Sequence, residues 1–235
     1  MDWTPYDAVL FDLDGVLTPT AEVHMRAWAE LFTPYLAERG AAPYTDDDYY
    51  AHIDGRPRYE GVAELLADRG ITLPEGDPSD APGTETVCGL GNRKNEVFAE
   101  VLEREGITPY LGSVRLLDHL AGLGVAMAVV SSSRNARMVL QGAGLEDRFG
   151  VVVDGTVAAA EGLAGKPAPD TFTYAARRLG VRPERAVVVE DAVSGVRAGR
   201  AGGFGLVVGV DRGAGREELL RNGADLVVTD LAELI

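Results

Sequence analysis

The sequence predicts an α/β protein with a Rossmann-like parallel-sheet core and an inserted α-helical cap domain. Three observations predict it. Short apolar, β-branched runs recur along the chain, segments with helical periodicity lie between them, and one long helical stretch interrupts the alternation directly after the first run. Strands that alternate with helices form a parallel sheet covered on both faces. The 235 residues, 46% of them hydrophobic, suffice for one such domain and a small accessory domain.

The predicted strands are nearly continuous apolar runs, as expected for a sheet that is buried on both faces. They are Val9-Leu10-Phe11 and the runs 125–130, 151–153, 186–189, 206–208 and 226–228. The predicted helices of the core lie between these runs, and two of them end at Gly180 and Gly223. These helices cover residues 113–123, 170–179, 192–201 and 215–222.

The stretch from about residue 19 to 100 has helical patterning but contains no convincing strand. Its first helix presents an apolar face that Pro34 is expected to kink or shorten. A second helix is predicted over residues 92–105, and residues 74–86, rich in Pro, Gly and Asp, are predicted to form a solvated loop. The apolar face of the first helix consists of Trp28, Leu31, Phe32, Tyr35 and Leu36.

These patterns give the expected domain organisation. A core domain is predicted from residues 1–18 together with residues 106–235, and a helical cap domain from residues 19–105. Two linkers, near residues 16–19 and 106–112, would join them.

The charge and composition of the chain argue against some classes of binding partner and some locations. A formal net charge of −15 argues against nucleic acid and anionic membranes, which bind through excess Lys and Arg. The first five residues do not form a signal peptide, and no apolar run approaches the length of a membrane span. The single cysteine, Cys88, is expected to be structural. We therefore expect a cytoplasmic protein, and a monomer.

Polar side chains that could carry chemistry follow several of the predicted strands. Because ligands usually bind at the carboxyl edge of a parallel sheet, these side chains are expected to meet in one cleft. Carboxylates of this kind suit Mg²⁺, and a lysine can neutralise charge on a transferring phosphoryl group. The sequence therefore predicts metal-assisted phosphoryl transfer. The residues are Asp12, Asp14, Ser131 to Ser133, Lys166, Glu190 and Asp191.

The segment after the first strand is the sharpest of these signals. Asp12 and Asp14 are two residues apart, and Gly15 permits a turn that can point the second carboxylate away from the first. One carboxylate could then attack phosphorus while the other acts as the general acid/base that gives or takes the proton. The alternative is that Asp14-Gly15 is only a turn after a strand.

At this point a family resemblance becomes visible. The segments DLDGVL, VVSSS, GKPAPD and VVVEDAVSG resemble the four motifs of the haloacid dehalogenase superfamily. In the cap, AEVHMRAW, GRPR and RKN resemble the β-phosphoglucomutase group of that superfamily. The motifs span both core and cap, and their joint order is far more specific than any one of them.

The resemblance implies roles for the core residues. Asp12 would be the nucleophile and Asp14 the general acid/base, while Ser131 and Lys166 would hold the transferring phosphate. The implied Mg²⁺ ligands are Asp12, the carbonyl of Asp14, Asp191 and Glu190.

The resemblance also implies roles for cap residues. His24 would lie near the hinge and assist opening and closing, Arg58 would bind the phosphate that does not react, and Lys94 would contact the sugar. The run Ser133, Arg134 and Asn135 would contact that end of the substrate when it binds the other way round. The alternatives are a polar surface histidine for His24 and solvated helical charges for Arg58, Arg134 and Lys94.

The resemblance implies a mutase that interconverts β-D-glucose 1-phosphate and glucose 6-phosphate, with a small phosphorylated sugar as its partner and Mg²⁺ as its cofactor. The alternative is a phosphatase of the same superfamily that hydrolyses a sugar phosphate or another phosphometabolite. A receiver-like signalling module and a binding protein without turnover are both disfavoured, the first by the helical insertion and the second by the filled catalytic positions. Pro19, Ala192 and the apparent insertion at 74–86 depart from the family pattern, and the last two leave sugar selectivity and cap fit open.

Overall fold

The computed structural model describes residues 1–235, apart from the side chain of Glu105. The chain divides into two compact units, each described by itself below. The core unit consists of Met1–Pro19 and Ile107–Ile235, and the cap unit consists of Thr20–Gly106.

The core unit is built on a parallel sheet, which confirms the predicted fold class. Within the described residues the sheet has six strands, in the order β3-β2-β1-β4-β5-β6. Their bounds differ from the predicted runs by at most two residues. The strands are β1 (Ala8–Phe11), β2 (Ala126–Val130), β3 (Val151–Val153), β4 (Ala186–Glu190), β5 (Leu206–Val210) and β6 (Leu226–Val228).

The central strand β1 lies at the point where the strand order reverses. It pairs with β2 on one side and with β4 on the other, so that Phe11 lies opposite both Val129 and Val189. The chain proceeds outward to β3 in one direction and to β6 in the other. In open α/β sheets, the crevice outside the carboxyl ends of the strands at this reversal is where ligands bind. Asp12 follows β1 directly and therefore stands at that crevice.

Helices of the core unit connect the strands and cover the sheet. The four predicted helices are present with bounds shifted by at most two residues, and two short helices that the sequence analysis did not identify follow β2 and β3. The helices are α5 (Leu111–Leu123), α6 (Ala136–Gly142), α7 (Gly155–Glu161), α8 (Asp170–Leu179), α9 (Val193–Ala201) and α10 (Arg216–Arg221). Short 3₁₀ segments occur at Glu146–Arg148, Pro183–Arg185 and Leu231–Leu234.

The core of this unit lies between the sheet and its helices. Side chains from β1, β2, β4 and β5 pack against α8 and α9, and Phe172 contacts Phe204 edge to face with ring centroids 6.0 Å apart. The residues of β1 and β4 are all buried, as their continuous apolar runs predicted, whereas β3 and the first residues of β2, β5 and β6 are partly exposed. The sheet is therefore a rigid base for the residues that follow its strands.

The cap unit is helical. Its long helices α1 (Thr20–Glu38) and α4 (Val87–Glu105) pack together with α3 (Arg58–Asp68). A short α-helix, α2 (Asp46–Asp48), runs into a π-helical turn, Tyr49–Ile53.

Pro34 was expected to kink or shorten helix α1, and the helix runs through it to Glu38 without being shortened there. Tyr35 and Leu36 follow the proline and are buried in the cap core. Burial of these side chains offsets the loss of one backbone hydrogen bond at the proline.

No helix among the described residues is both long enough and apolar enough to cross a membrane.

Candidate active site

The carboxyl ends of β1 and β4 bring three buried carboxylates together. The backbone N–H of Asp12 donates to the carbonyl of Val189 at 2.9 Å, which extends the sheet pairing beyond β1. Glu190 ends β4 and Asp191 follows it. One oxygen from each of Asp12, Glu190 and Asp191 lies within 4.8 Å of the others. Three carboxylates at this separation, all hard oxygen donors, fit a Mg²⁺ ion.

Lys166 is almost completely buried between two of these carboxylates. Its Nζ donates to Oδ1 of Asp12 at 2.5 Å, to a carboxylate oxygen of Glu190 and to the carbonyl of Val130 at 3.0 Å. The ammonium also lies 5.0 Å from the centre of the Phe172 ring. Two of the three donor positions of the ammonium are thus directed at carboxylates and the third at a backbone carbonyl.

Burial and charge act in opposite directions on this cluster. Burial raises the pKa of Asp12 well above its ordinary value, because a carboxylate is disfavoured away from water, and the Lys166 ammonium opposes that rise. Burial alone would lower the pKa of Lys166, but the carboxylates of Asp12 and Glu190 outweigh it and raise that pKa. The ammonium therefore stays charged, and a cation beside Asp12 favours the ionised carboxylate that a nucleophile needs.

Gly15 and Gly195 leave the room that the carboxylates occupy. Gly15 has φ +85°, and a Cβ built on it would lie 1.8 Å from Oδ2 of Asp191. A Cβ on Gly195 would lie 1.8 Å from Oε1 of Glu190. A side chain at either position would displace a carboxylate of the cluster.

Asp14 and Ser131 lie beside the cluster. Oγ of Ser131 donates to Oδ2 of Asp14 at 3.4 Å, and the backbone N–H of Ser133 donates to Oγ of Ser131 at 3.1 Å. The backbone N–H of Asn135 donates to Oγ of Ser133, so the run from Ser133 to Asn135 forms the turn that leads into α6. Arg134 is exposed on that turn.

Arg212 holds the loop after β1, a role that was not predicted from the sequence. Its Nε donates to the carbonyl of Gly15 and its Nη1 to the carbonyl of Thr229, both at 2.9 Å. Its guanidinium lies 4.0 Å from the centre of the Tyr110 ring, and the N–H of Tyr110 donates to the carbonyl of Leu17. The available signal was its position two residues beyond β5, at the same edge of the sheet.

In the cap unit, the buried Lys94 contacts the half-buried His24. Nζ of Lys94 contacts Nδ1 of His24, and the His24 ring stacks on Phe98 with centroids 4.0 Å apart. The Lys94 ammonium lies 5.0 Å from the Trp28 ring centre and 4.7 Å from that of Phe98. Lys94 is only 3% exposed, so the alternative of a solvated surface charge is wrong for this residue.

Arg58 begins helix α3 of the cap and is held by asparagines of α4. Its Nη2 donates to Oδ1 of Asn95 at 2.8 Å, and its Nη1 lies 3.4 Å from Oδ1 of Asn92. Asn92 was not among the predicted site residues, because nothing in the sequence indicates its contact with Arg58.

A second group of possible ligand atoms lies elsewhere in the cap, at Asp48, His52 and Asp68. Arg69 donates to Asp48 at 2.6 Å and contacts Asp68, so its guanidinium already balances these carboxylates. We assign no metal to this group.

The chain is similar in sequence to known proteins. The sequence model of the haloacid dehalogenase-like hydrolase family matches residues 6–203. The chain belongs to that family. The β-phosphoglucomutase of Mycobacterium bovis is 48% identical, in an alignment covering 97% of this chain and 91% of the relative. The chain is a β-phosphoglucomutase-like member of the family and therefore an enzyme, as the motif order predicted.

Two further similar proteins differ from each other in the activity that their names give. Hexitol phosphatase A of Escherichia coli is 31% identical, with 96% of this chain and 91% of the relative aligned. The crystal structure of β-phosphoglucomutase from Clostridium difficile superposes with a TM-score of 0.79 at 26% identity, covering 98% of this chain and 93% of that one. A mutase and a phosphatase thus share this family with the chain.

Proposed function

We propose that the protein is a phosphosugar mutase that interconverts β-D-glucose 1-phosphate and glucose 6-phosphate through the 1,6-bisphosphate. The observation that carries the proposal is a second ordered cation in the cap. Arg58 is fixed by Asn95 there, in addition to the Lys166 cluster of the core. A bisphosphate presents two phosphate groups, and a mutase needs a cation for the phosphate that is not reacting.

Asp12 is the proposed nucleophile. Its carboxylate oxygen attacks phosphorus of the bisphosphate, the bond from phosphorus to the sugar oxygen breaks, and Asp14 protonates the departing oxygen. In the second step the free 6-hydroxyl of a β-glucose 1-phosphate molecule attacks phosphorus of phospho-Asp12, Asp14 takes the proton from that hydroxyl, and the bond from phosphorus to Asp12 breaks, which restores the carboxylate and forms the bisphosphate. When this bisphosphate turns round and its 1-phosphate passes to Asp12 as in the first step, glucose 6-phosphate is released. The enzyme is therefore a phosphoprotein during turnover.

The charge on the transferring group is balanced by the chain and by a metal. Asp12, Glu190, Asp191 and the carbonyl of Asp14 would hold Mg²⁺, which neutralises negative charge on the phosphoryl oxygens when bound. Lys166 holds one oxygen of Asp12, so the other oxygen is the one proposed to attack. Ser131 is proposed to donate its hydroxyl to the phosphate.

The cap residues are proposed to decide between sugar and water as the acceptor. Arg58 would hold the remote phosphate and Lys94 the sugar, while His24 would respond to cap closure through its contact with Lys94. Ser133, Arg134 and Asn135 would contact the substrate in its reversed orientation. A substrate of this kind supports a cytoplasmic location.

The second candidate function is hydrolysis of a sugar phosphate. The 31% identity to hexitol phosphatase A favours it, because the core cluster alone can form a phospho-aspartate that water then cleaves. The two functions differ only in the acceptor.

The test is to incubate the enzyme with β-glucose 1-phosphate, Mg²⁺ and a trace of glucose 1,6-bisphosphate, and to follow glucose 6-phosphate and free phosphate together. The proposal predicts glucose 6-phosphate without matching release of phosphate. Phosphate release alone would make the protein a phosphatase. The absence of both products would contradict the proposed substrate.

A further inference from the structure

The loop at residues 74–86 is exposed but tied to the start of α4. The N–H groups of Val87 and Cys88 donate to the carbonyls of Pro74 and Glu75, both at 3.0 Å. Inside the loop, Oγ1 of Thr86 donates to Oδ2 of Asp80 at 2.6 Å and accepts from the N–H of Gly89 at 2.9 Å. These bonds give the loop a defined shape, whereas its composition predicted only that it is a solvated loop.

Asn92 joins this loop to Arg58. Its Nδ2 donates to the carbonyl of Pro78 at 3.1 Å and to that of Asp80 at 2.9 Å, which uses both amide hydrogens. Its Oδ1 accepts from the Tyr59 hydroxyl at 2.9 Å and faces Nη1 of Arg58 at 3.4 Å. A flipped amide would place its oxygen against two carbonyl oxygens, so the loop fixes which end of the amide faces Arg58.

Gly91 completes the setting of Arg58. A Cβ on Gly91 would lie 2.8 Å from the Tyr59 ring and 3.1 Å from Cδ of Arg58. The arginine stem and the tyrosine therefore lie directly against the backbone of α4. Two residues of α4, Asn92 and Asn95, contact the guanidinium of Arg58. Asn92 is in turn bonded to the loop, so the loop acts on Arg58 through Asn92.

We propose that the loop 74–86, acting through Asn92, positions Arg58 for the remote phosphate of the substrate. The inference rests on the proposed function, because Arg58 has that task only if the substrate carries a second phosphate. An arginine that is ordered before binding loses less side-chain entropy when the phosphate arrives. Asn92 is thus a positioning residue, and the insertion is a specificity element of the cap.

The decisive variant is Asn92→Ala, which removes the link between the loop and Arg58. We expect the KM for β-glucose 1-phosphate to rise about tenfold, the factor that 1.4 kcal/mol of binding represents. Hydrolysis of p-nitrophenyl phosphate, which has one phosphate, should keep its kcat/KM. Equal losses on both substrates, or no loss on either, would overturn the positioning role.

The matched control is Asn222→Ala in the core unit. Asn222 also accepts from an arginine, Nε of Arg197 at 2.7 Å, and donates to a backbone carbonyl, that of Glu218 at 2.8 Å. Asn222 lies outside the proposed site, so the KM for β-glucose 1-phosphate and the kcat/KM for p-nitrophenyl phosphate should both stay unchanged. An Asn222→Ala variant with the same KM increase would count against a specific role of Asn92.

A second variant tests the position of Arg58 in case Asn92→Ala does not fold. Gly91→Ala leaves the loop bonds of Asn92 untouched but pushes Tyr59 and Arg58 away from α4. It should reproduce the increase in KM. An unchanged KM in Gly91→Ala would contradict the account.

A third readout separates this inference from the proposed function. The Nε–H order of Arg58, measured by NMR relaxation and assigned with Arg58→Lys, does not depend on turnover. We expect an ordered Arg58 in the wild type and an order parameter below about 0.6 in Asn92→Ala. If the wild type forms no glucose 6-phosphate, the proposed function fails while this measurement still decides the positioning role. Equal order in both proteins would overturn it.

Discussion

At the scale of single residues, the charges of the core cluster explain why it suits a divalent cation. Asp12, Glu190 and Asp191 are buried with one ammonium, that of Lys166. If all four ionise, two negative charges remain uncompensated, which is the charge that one Mg²⁺ balances. The same charges make the ammonium of Lys166 costly to remove.

Asp12→Asn should abolish formation of the phosphoenzyme, because an amide cannot act as the nucleophile. Turnover should fall at least about 10⁴-fold. Mass spectrometry after rapid quenching, which detects the added phosphoryl group, checks this directly. A variant that still turns over would refute the covalent scheme.

Lys166→Met should destabilise the core, because it leaves Asp12 and Glu190 buried without their shared cation. The expected loss in the free energy of unfolding is about 3–5 kcal/mol, measured by denaturant unfolding in the presence of EDTA. Stability equal to the wild type would mean that the lysine does not balance these carboxylates.

Arg212→Ala should lower kcat by about 10- to 100-fold, since it frees the carbonyl of Gly15 and lets the loop that carries Asp14 shift. Arg221→Ala is the control, because Arg221 bonds only to residues of its own helix among the contacts described. Steady-state kinetics with p-nitrophenyl phosphate compare the two variants. Equal kcat values would exclude Arg212 as a positioning residue.

At the scale of elements, the junction before the π-helical turn of the cap depends on a buried carboxylate. Asp48 accepts from the N–H of Thr45 at 2.8 Å and from Arg69 at 2.6 Å, which links α2 to the residue that follows α3. Burial acts to raise the pKa of Asp48, but the hydrogen bonds from Arg69 and Thr45 outweigh it and lower that pKa. Because the folded chain favours the ionised form, the contribution of Asp48 is complete above its unfolded pKa and disappears as the pH falls through its folded value.

Asp48→Asn should therefore lose about 1–3 kcal/mol of unfolding free energy at pH 7, and the difference from the wild type should shrink in acid. Denaturant unfolding of both proteins at neutral pH and near pH 3 provides the measurement. A difference that stays constant or grows in acid would contradict the sign of this pKa shift.

Several elements could be predicted from the sequence because each of them depends on a pattern within its own segment. The strands of the core are apolar runs that no amphipathic helix would produce, and Asp12, Glu190 and Asp191 were predicted to meet because each follows a strand. The predicted start of α4 was wrong by five residues, because the helix begins at Val87 and not at residue 92. Gly89 and Gly91 lower the helix propensity of this segment, but Val87 and Leu90 pack into the cap core and stabilise it as helix.

Contacts between distant segments could not be predicted in this way. Arg212 meets Gly15 across 197 residues, and Asn92 meets Arg58 across 34. Asn92 begins a predicted helix, but a helical pattern does not indicate which distant residue a side chain contacts, so only the folded chain reveals these contacts. The roles of Asp14, Ser131, His24 and Lys94 remain predictions.

At the scale of the whole molecule, metal binding should connect catalysis to stability. Mg²⁺ that binds only the folded chain stabilises it, and at a concentration hundredfold above Kd we expect the Tm to rise by roughly 5–10 °C. Asp191→Asn should abolish both this shift and turnover, because it removes one of the carboxylates proposed to hold the ion. Thermal unfolding with Mg²⁺ and with EDTA checks the prediction. A full Mg²⁺ shift in Asp191→Asn would place the metal elsewhere.

The most direct test of the central claim is to follow one phosphoryl group through the enzyme. Enzyme labelled with ³²P from glucose 1,6-bisphosphate would be mixed in a single turnover with β-glucose 1-phosphate or with buffer alone. We expect label on Asp12 that passes to the sugar when sugar is present and reaches water only slowly when it is absent. Label on another residue, or release to water at the same rate with and without sugar, would contradict it.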